Sequence, residues 1–427
     1  MLFIRFLILV CLAGMLAGCA AGSSVLSSNR SRNTTPPADP ADMLAAAESN
    51  NHFGVDLYHA LRETNDGNLF FSPYSITLAL AMTEAGARSD TRAEMDRALH
   101  FDLPQERLHP ALNALDLALR ATPPQDLDPE LKDKVLQLSI ANSVWGQKDY
   151  PFEQSYLDLL AEQYGAGLRL ADYRADAEGA RKQINDWVSE ETRQKITDLI
   201  PAGALSEETR LVLANAIYFK AGWMEPFDPE NTSPAAFNLL DGSSVDTWMM
   251  IQGGFFPYAS GEGWQALELP YVGGTASMVI LLPARERFVE IESGLDAAQI
   301  QDAIRQMQTT NTVVYFPRFQ FDASFELAKT LEEMGMILAF DPTQADFSGM
   351  SSSGELYISR VIHKATVDVD EAGTEAAAAT AVIATAGAAP DELEPVIFRA
   401  DRPFLFFIRD REMGTILFVG RVLNPEG

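Results

Sequence analysis

Between residues 361 and 370, apolar and polar side chains alternate one by one. Val361, His363, Ala365, Val367 and Val369 share one parity; Ile362, Lys364, Thr366, Asp368 and Asp370 share the other. A period of two predicts a β-strand with one buried face, and it puts His363 on that face. The next residues, Glu371, Ala372, Gly373, Thr374 and Glu375, lead into Ala376, Ala377, Ala378, Ala379 and Thr380. On composition alone that run reads as an ordinary capped helix. After residue 45, helical and strand patterns alternate with no Pro/Gly/Ser-rich linker and no internal repeat. A single large domain of mixed helices and sheets is the economical reading. With 47% hydrophobic residues, the chain can bury a sizeable core.

The first residues follow another pattern. One basic residue, Arg5, precedes an apolar run from Phe6 to Met15, and then come Leu16, Ala17, Gly18 and Cys19. The run is short for a membrane span and right for a signal peptide. Residues 20 to 42 are rich in Ser, Asn, Thr, Pro and Ala. They carry too little apolar surface for a core and predict a flexible tether.

Charge and composition narrow the chemistry. Sixty acidic residues against 32 basic ones give a formal charge of -28. Such an excess repels a phosphate backbone and argues against nucleic-acid partners. The five histidines are scattered, and no His-Glu-x-x-His or Cys-x-x-Cys spacing occurs, so no metal or other cofactor is expected. There is no Gly-x-Ser-x-Gly elbow and no phosphate-binding glycine loop before a helix. An enzyme is not expected.

Five ordered blocks carry a family resemblance. The tail holds the Glu371–Thr380 run, then Phe398-Arg399-Ala400-Asp401-Arg402-Pro403-Phe404, and closes on Phe418-Val419-Gly420-Arg421-Val422. Upstream stand Asn68-Leu69-Phe70-Phe71-Ser72-Pro73-Tyr74-Ser75-Ile76 and Leu213-Ala214-Asn215-Ala216-Ile217-Tyr218-Phe219-Lys220. Leu267-Glu268-Leu269-Pro270-Tyr271 and Pro317-Arg318-Phe319 complete the set. Over roughly residues 45 to 425 the chain resembles the serpins. The resemblance implies an α+β serpin fold: three β-sheets with surrounding helices and an exposed reactive-centre loop. The expected organisation is a signal peptide over 1–18, a lipidated tether over 19–44 and the serpin domain over 45–427. Leu-Ala-Gly-Cys resembles a bacterial lipobox. It implies a lipid on Cys19, attachment to a membrane of the cell envelope and, in a Gram-negative cell, an outer-membrane address. The resemblance further implies a monomer that meets a serine or cysteine endopeptidase as a covalent acyl complex. Ser72, Ser75, Asn215 and His363 match a buried polar cluster, the shutter beneath the central sheet.

In this family the cleaved loop enters the central sheet as a new strand, carrying the acylated protease with it. The residues fit what insertion requires. Thr374, Ala376, Ala378 and Thr380 share one parity and are small, and Gly373 can serve as the pivot. Pro390 is the first residue that cannot donate to a ladder. A dozen new hydrogen bonds would supply on the order of 10 kcal/mol. At about 3.3 Å per residue the arm would carry the enzyme roughly 50 Å. Counting from Glu371 points to the bond between Ala386 and Gly387, with Ile383, Ala384 and Thr385 as alternatives. No lysine or arginine lies between Lys364 and Arg399, and no aromatic residue lies between Thr374 and Glu394. The bait therefore suits an elastase- or subtilisin-like pocket. The alternative is a non-inhibitory serpin acting as a binding or chaperone-like module. The discriminator is a hinge carrying bulky, charged or proline residues, and none stands at Thr374, Ala376, Ala378 or Thr380.

Overall fold

In the computed structural model, residues 24–120, 131–374 and 394–427 are described. The strands in chain order are β1 (Ser24–Leu26), β2 (Leu69–Phe71), β3 (Gln137–Gln147), β4 (Leu168–Ala171), β5 (Leu211–Gly222), β6 (Ser233–Asn238), β7 (Ser244–Gly261) and β8 (Trp264–Pro270). They continue as β9 (Ala276–Pro283), β10 (Gln308–Pro317), β11 (Phe319–Glu326), β12 (Ile358–Val369), β13 (Gly373–Thr374), β14 (Val396–Arg399), β15 (Phe404–Asp410) and β16 (Ile416–Val422). The helices that position the site are α1 (Pro40–Arg62), α2 (Pro73–Glu84), α3 (Ser89–Ala98), α4 (Gln105–Leu119), α5 (Gln154–Leu159) and α6 (Tyr173–Glu191).

Two ladders organise the fold. The first runs β1-β4-β3-β5-β13-β12-β11, and below β13 the strands β5 and β12 pair directly. The second runs β14-β10-β7-β8-β9-β15-β16-β2, with β6 also on β7. The three sheets expected from the resemblance thus form two continuous ladders. The cause is β7, whose 18 residues pair in turn with β6 (Ser244 to Met249), β10 (Met249 to Tyr258) and β8 (Tyr258 to Gly261).

Strand β5 shows why the first sheet is a middle layer. Its near-continuous apolar sequence is buried on both faces, as a strand with no solvent side must be. Leu211, Leu213, Ile217 and Phe219 face the main core. Val212, Ala214 and Ala216 face α6, packing with Trp145, Ile184 and Val188. On the inner side, Phe70 of β2 stacks on Phe418 at 5.0 Å, and Phe319 lies 5.5 Å from Phe406. Each ring fully buried this way contributes roughly 1.5–3 kcal/mol. Helix α2 lies in that interior with every residue buried. Pro73 opens it, and the Ser72 hydroxyl caps it by accepting from the Ser75 N–H.

The tether expected over 19–44 is corrected for the described residues. Ser24–Leu26 forms a strand against β4, and α1 already starts at Pro40. Asp42 in its first turn is buried and ion-paired with Arg107. The low apolar content hid this, because the segment is held mainly by polar contacts and a ladder, with Leu26 and Met43 adding contact to the core. Cys19 and the signal peptide expected over 1–18 lie outside the described residues.

Candidate functional site: hinge and polar cluster of the first sheet

The strand predicted at 361–370 is β12, and its parity is as read: Val361, His363, Ala365, Val367 and Val369 are buried. At its end the chain turns at Asp370, whose Oδ1 accepts from the backbone N–H groups of Ala372 (2.8 Å) and Gly373 (3.1 Å). Such Asx contacts favour a tight turn over a continued strand. The chain then re-enters the first sheet as β13. Thr374 pairs with Val369 on one side and Ala221 on the other, and Gly373 pairs with Gly222. Position 373 has no room for a side chain. A Cβ there would stand 2.2 Å from the Ala221 carbonyl oxygen and 2.7 Å from the Gly222 Cα.

Thr374 is 1% exposed. Its hydroxyl lies 2.8 Å from the phenol oxygen of Tyr271. Tyr271 is itself stacked on Trp223 at 4.7 Å and set edge-on to Phe219. Burial pushes the Tyr271 hydroxyl well up in pKa, so it stays a neutral hydrogen-bonding group. The pocket accepts a small side chain with one hydroxyl and closes over it.

Glu371 anchors the turn from below. Arg318 Nε donates to its Oε1 at 2.7 Å, a second Arg318 nitrogen ion-pairs with the same oxygen, and Thr232 Oγ1 donates at 2.5 Å. Burial raises the Glu371 carboxyl, but these hydrogen bonds outweigh it and hold the group below its ordinary value. The backbone adds two bonds, from the Trp223 N–H to Ala372 O and from the Phe227 N–H to Glu371 O, each 2.9 Å.

Directly beneath β13 the sheet is closed. β5 and β12 run parallel and pair from Leu211 and Ile358 to Tyr218 and Thr366. Ser72, Ser75, Asn215 and His363 meet at this seam, all fully buried. His363 Nε2 accepts from the Ser72 N–H at 3.1 Å, so its proton sits on Nδ1, which donates to Asn215 Oδ1. Asn215 Nδ2 donates to Ser75 Oγ at 2.7 Å, and Ser72 Oγ donates to the Leu417 carbonyl at 2.7 Å. Burial pushes the His363 imidazole down to about 3, so the ring is neutral.

Sequence reasoning missed Asn142 of β3, the fifth member. Its Oδ1 accepts from Ser75 Oγ (2.8 Å) and Asn215 Nδ2 (2.5 Å), and its Nδ2 donates to Ser75 O (2.8 Å). The signal was present: Asn142 interrupts the parity of Ile140 and Val144. Arg318 and Tyr271 stand in the motif blocks, but nothing in the spacing links them, or Thr232 and Trp223, to residues 371–374. The remaining hinge residues, Glu375, Ala376, Ala377, Ala378, Ala379 and Thr380, lie outside the described residues. So do Ala386, Gly387, Ile383, Ala384 and Thr385.

Comparison with known proteins matches this arrangement. The Serpin (serine protease inhibitor) family profile matches residues 48–425. An uncharacterised serpin-like protein of Thermococcus kodakarensis is 41% identical over 88% of this chain and 85% of its own length. Leukocyte elastase inhibitor of Xenopus tropicalis is 40% identical, covering 88% of this chain and 98% of that protein. Among solved structures, uncleaved ovalbumin superposes with a TM-score of 0.79 at 31% identity, covering 90% of this chain and 100% of ovalbumin. With the family's blocks matched over most of its length and the fold shared, the chain belongs to the serpin family.

Proposed function

We propose that this serpin is a suicide-substrate inhibitor of a serine endopeptidase of elastase- or subtilisin-like specificity. The observation that carries the reading is the seat of Gly373 and Thr374 between β5 and β12. The arm that has to insert has its first two residues in place, at the top of the seam it must open.

The protease serine attacks the carbonyl carbon of the scissile bond. An ester to the enzyme forms, the peptide C–N bond breaks, and the new amine becomes the N-terminus of the C-terminal segment, which stays in the second ladder through β14, β15 and β16. The acylated arm is then free to extend β13 downward, replacing the β5–β12 pairs by pairs to itself. A cysteine protease would follow the same course through a thioester. The buried cluster of Ser72, Ser75, Asn142, Asn215 and His363 acts as the shutter, holding the seam until the arm arrives. The small and β-branched residues from Val382 to Ala389 suit a shallow specificity pocket. The 40% identity to a leukocyte elastase inhibitor favours the same class.

Cys19 is the proposed lipid attachment, which would place the domain at the cell envelope as an anchored monomer. The test is a gel. Incubation with elastase-, subtilisin-, chymotrypsin- and trypsin-like proteases should give an SDS-stable complex with one of the first two. Cleavage by every enzyme without any stable complex would overturn inhibition in favour of a non-inhibitory binding role.

A further inference from the structure

The C-terminal end of α2 meets α4 through two side chains that face each other in the interior. Glu84 is the last residue of α2, and His109 lies one turn into α4. Their side chains are 0% and 2% exposed. Gln105 Nε2 donates to Glu84 Oε1 at 2.7 Å, and Arg92 Nε of α3 ion-pairs with the same oxygen at 3.0 Å. The other oxygen, Oε2, has no donor among the described residues. It lies 3.5 Å from His109 Nε2, which is equally without a hydrogen-bond partner there. On its far side, His109 Nδ1 stands 2.7 Å from the hydroxyl oxygen of Tyr164, in the π-helical turn that continues α5.

The charges around the pair decide where a proton sits. Arg92 also pairs with Asp96 of α3 at 3.3 Å, so one cation stands between two carboxyl groups. From the side of α5 the approach is by phenols: Tyr164, and Tyr156, whose hydroxyl donates to Met82 O. Asp116, two turns farther along α4, acts on Tyr164 through its charge. With Glu84 ionised, the site would bury an uncompensated negative charge and set two lone pairs against each other. With a proton on Oε2, Arg92 and Asp96 balance, Oε2 donates to Nε2, and the Nδ1–H donates to the Tyr164 oxygen. Burial pushes the Glu84 carboxyl up to about 7, and the Asp96 charge adds to it, against Gln105 and Arg92. Burial, aided by the Arg92 charge, pushes the His109 imidazole down to about 3, so the carboxyl and not the ring carries the proton.

We infer that Glu84 and His109 share one buried proton and form a pH-sensitive clasp, which ties α2 to α4 while the proton is present and releases them when alkali removes it. The folded carboxyl binds its proton more tightly than the ordinary one at 4.5. The contribution of Glu84 is therefore complete below about pH 4.5 and is lost as pH rises through about 7. Up to pH 6.5 the unfolded chain holds a matching proton on His109, which masks the change in the wild type's overall stability. A chain that cannot ionise at position 84 exposes it. The clasp and the polar cluster grip opposite ends of one buried helix, since α2 begins beside Ser72 and Ser75.

The experiment compares the wild type with Glu84→Gln, which keeps the acceptor oxygen and offers His109 an amide N–H at every pH. Amide hydrogen exchange of α2 and α4 is measured on both chains at matched pH. At about pH 5.5 the two should agree within roughly twofold; at about pH 8.5 the wild type should exchange at least roughly tenfold faster, because only it has lost its donor. Infrared spectra supply a second measure that the wild type gives alone: a buried protonated-carboxyl band at about pH 6, where exposed carboxylates are ionised, that fades by about pH 8.5. The band should be missing from Glu84→Gln. Exchange that stays within roughly twofold at the higher pH would overturn the clasp. So would a wild type without the band, or a band that survives in Glu84→Gln and so belongs to another carboxyl.

Discussion

His363 of β12 stands directly opposite Asn215 of β5 in the parallel ladder, and the two side chains hydrogen-bond across the seam. One contact therefore joins the two strands that an inserting arm must separate. It also ties both to α2 through Ser72 and Ser75. Buried polar networks of this kind are costly when half-satisfied, so the seam resists partial opening and favours either the closed or the fully inserted arrangement.

The neutral state of His363 has a pH signature. Folding depresses its pKa from 6.5 to about 3, so its contribution is complete above pH 6.5 and declines as pH falls toward 3. In that window the unfolded chain binds one proton that the folded chain refuses, which is a slope of about 1.4 kcal/mol per pH unit from this group. His363→Gln should remove that component from the unfolding midpoint measured between pH 6.5 and 4.5. An unchanged slope would mean the imidazole does not titrate as its burial requires.

Thr374→Arg places a guanidinium against Tyr271 in a pocket that leaves the native residue 1% exposed. Burying it unpaired costs several kcal/mol, so the hinge should leave the sheet and insertion should slow. The variant is expected to be cut at the wild-type bond while covalent complex falls at least tenfold on a denaturing gel. Complex at wild-type yield would count against insertion.

Gly373→Ala tests the close approach alone, without a charge. Its methyl would overlap Ala221 O and Gly222 Cα, backbone atoms that cannot swing away. Expulsion of β13 should lower native stability by about 1–3 kcal/mol and change the fluorescence of Trp223, whose Nε1 donates to Asp370 O. Identical emission and unfolding midpoint would show that the sheet absorbs the methyl.

The cleavage position is checked by mass spectrometry of the C-terminal fragment, separated by denaturation after reaction because β14, β15 and β16 hold it in the second ladder. Its first residue should lie after Val382 and before Asp391. A fragment starting at Ala400, after Arg399, would mean a trypsin-like target and overturn the specificity reading.

Cys19→Ala should abolish membrane attachment, because alanine has no thiol to carry the lipid that would anchor the chain. Fractionation of cells expressing wild type and variant reads this directly. Wild type found wholly in the soluble fraction would remove the lipobox reading.

The sequence by itself determined the parity of β12, the burial of His363 and the smallness of the hinge residues, because a strand's faces alternate strictly with position. Through its ordered motif blocks it also identified the family. Only the tertiary structure decided what those residues touch. Arg318 and Thr232 reach Glu371, Tyr271 covers Thr374, and Asn142 completes the cluster. Each contact spans many tens of residues along the chain, and periodicity records which face is buried but not which distant side chain meets it. The N-terminal segment shows the same limit. Its polar composition excludes a core of its own, yet β4 had an open edge and α4 a buried carboxylate, and together these fixed residues 24–33 in place. Whether a polar segment is ordered depends on the partners the rest of the fold presents to it, and only the folded chain holds that information.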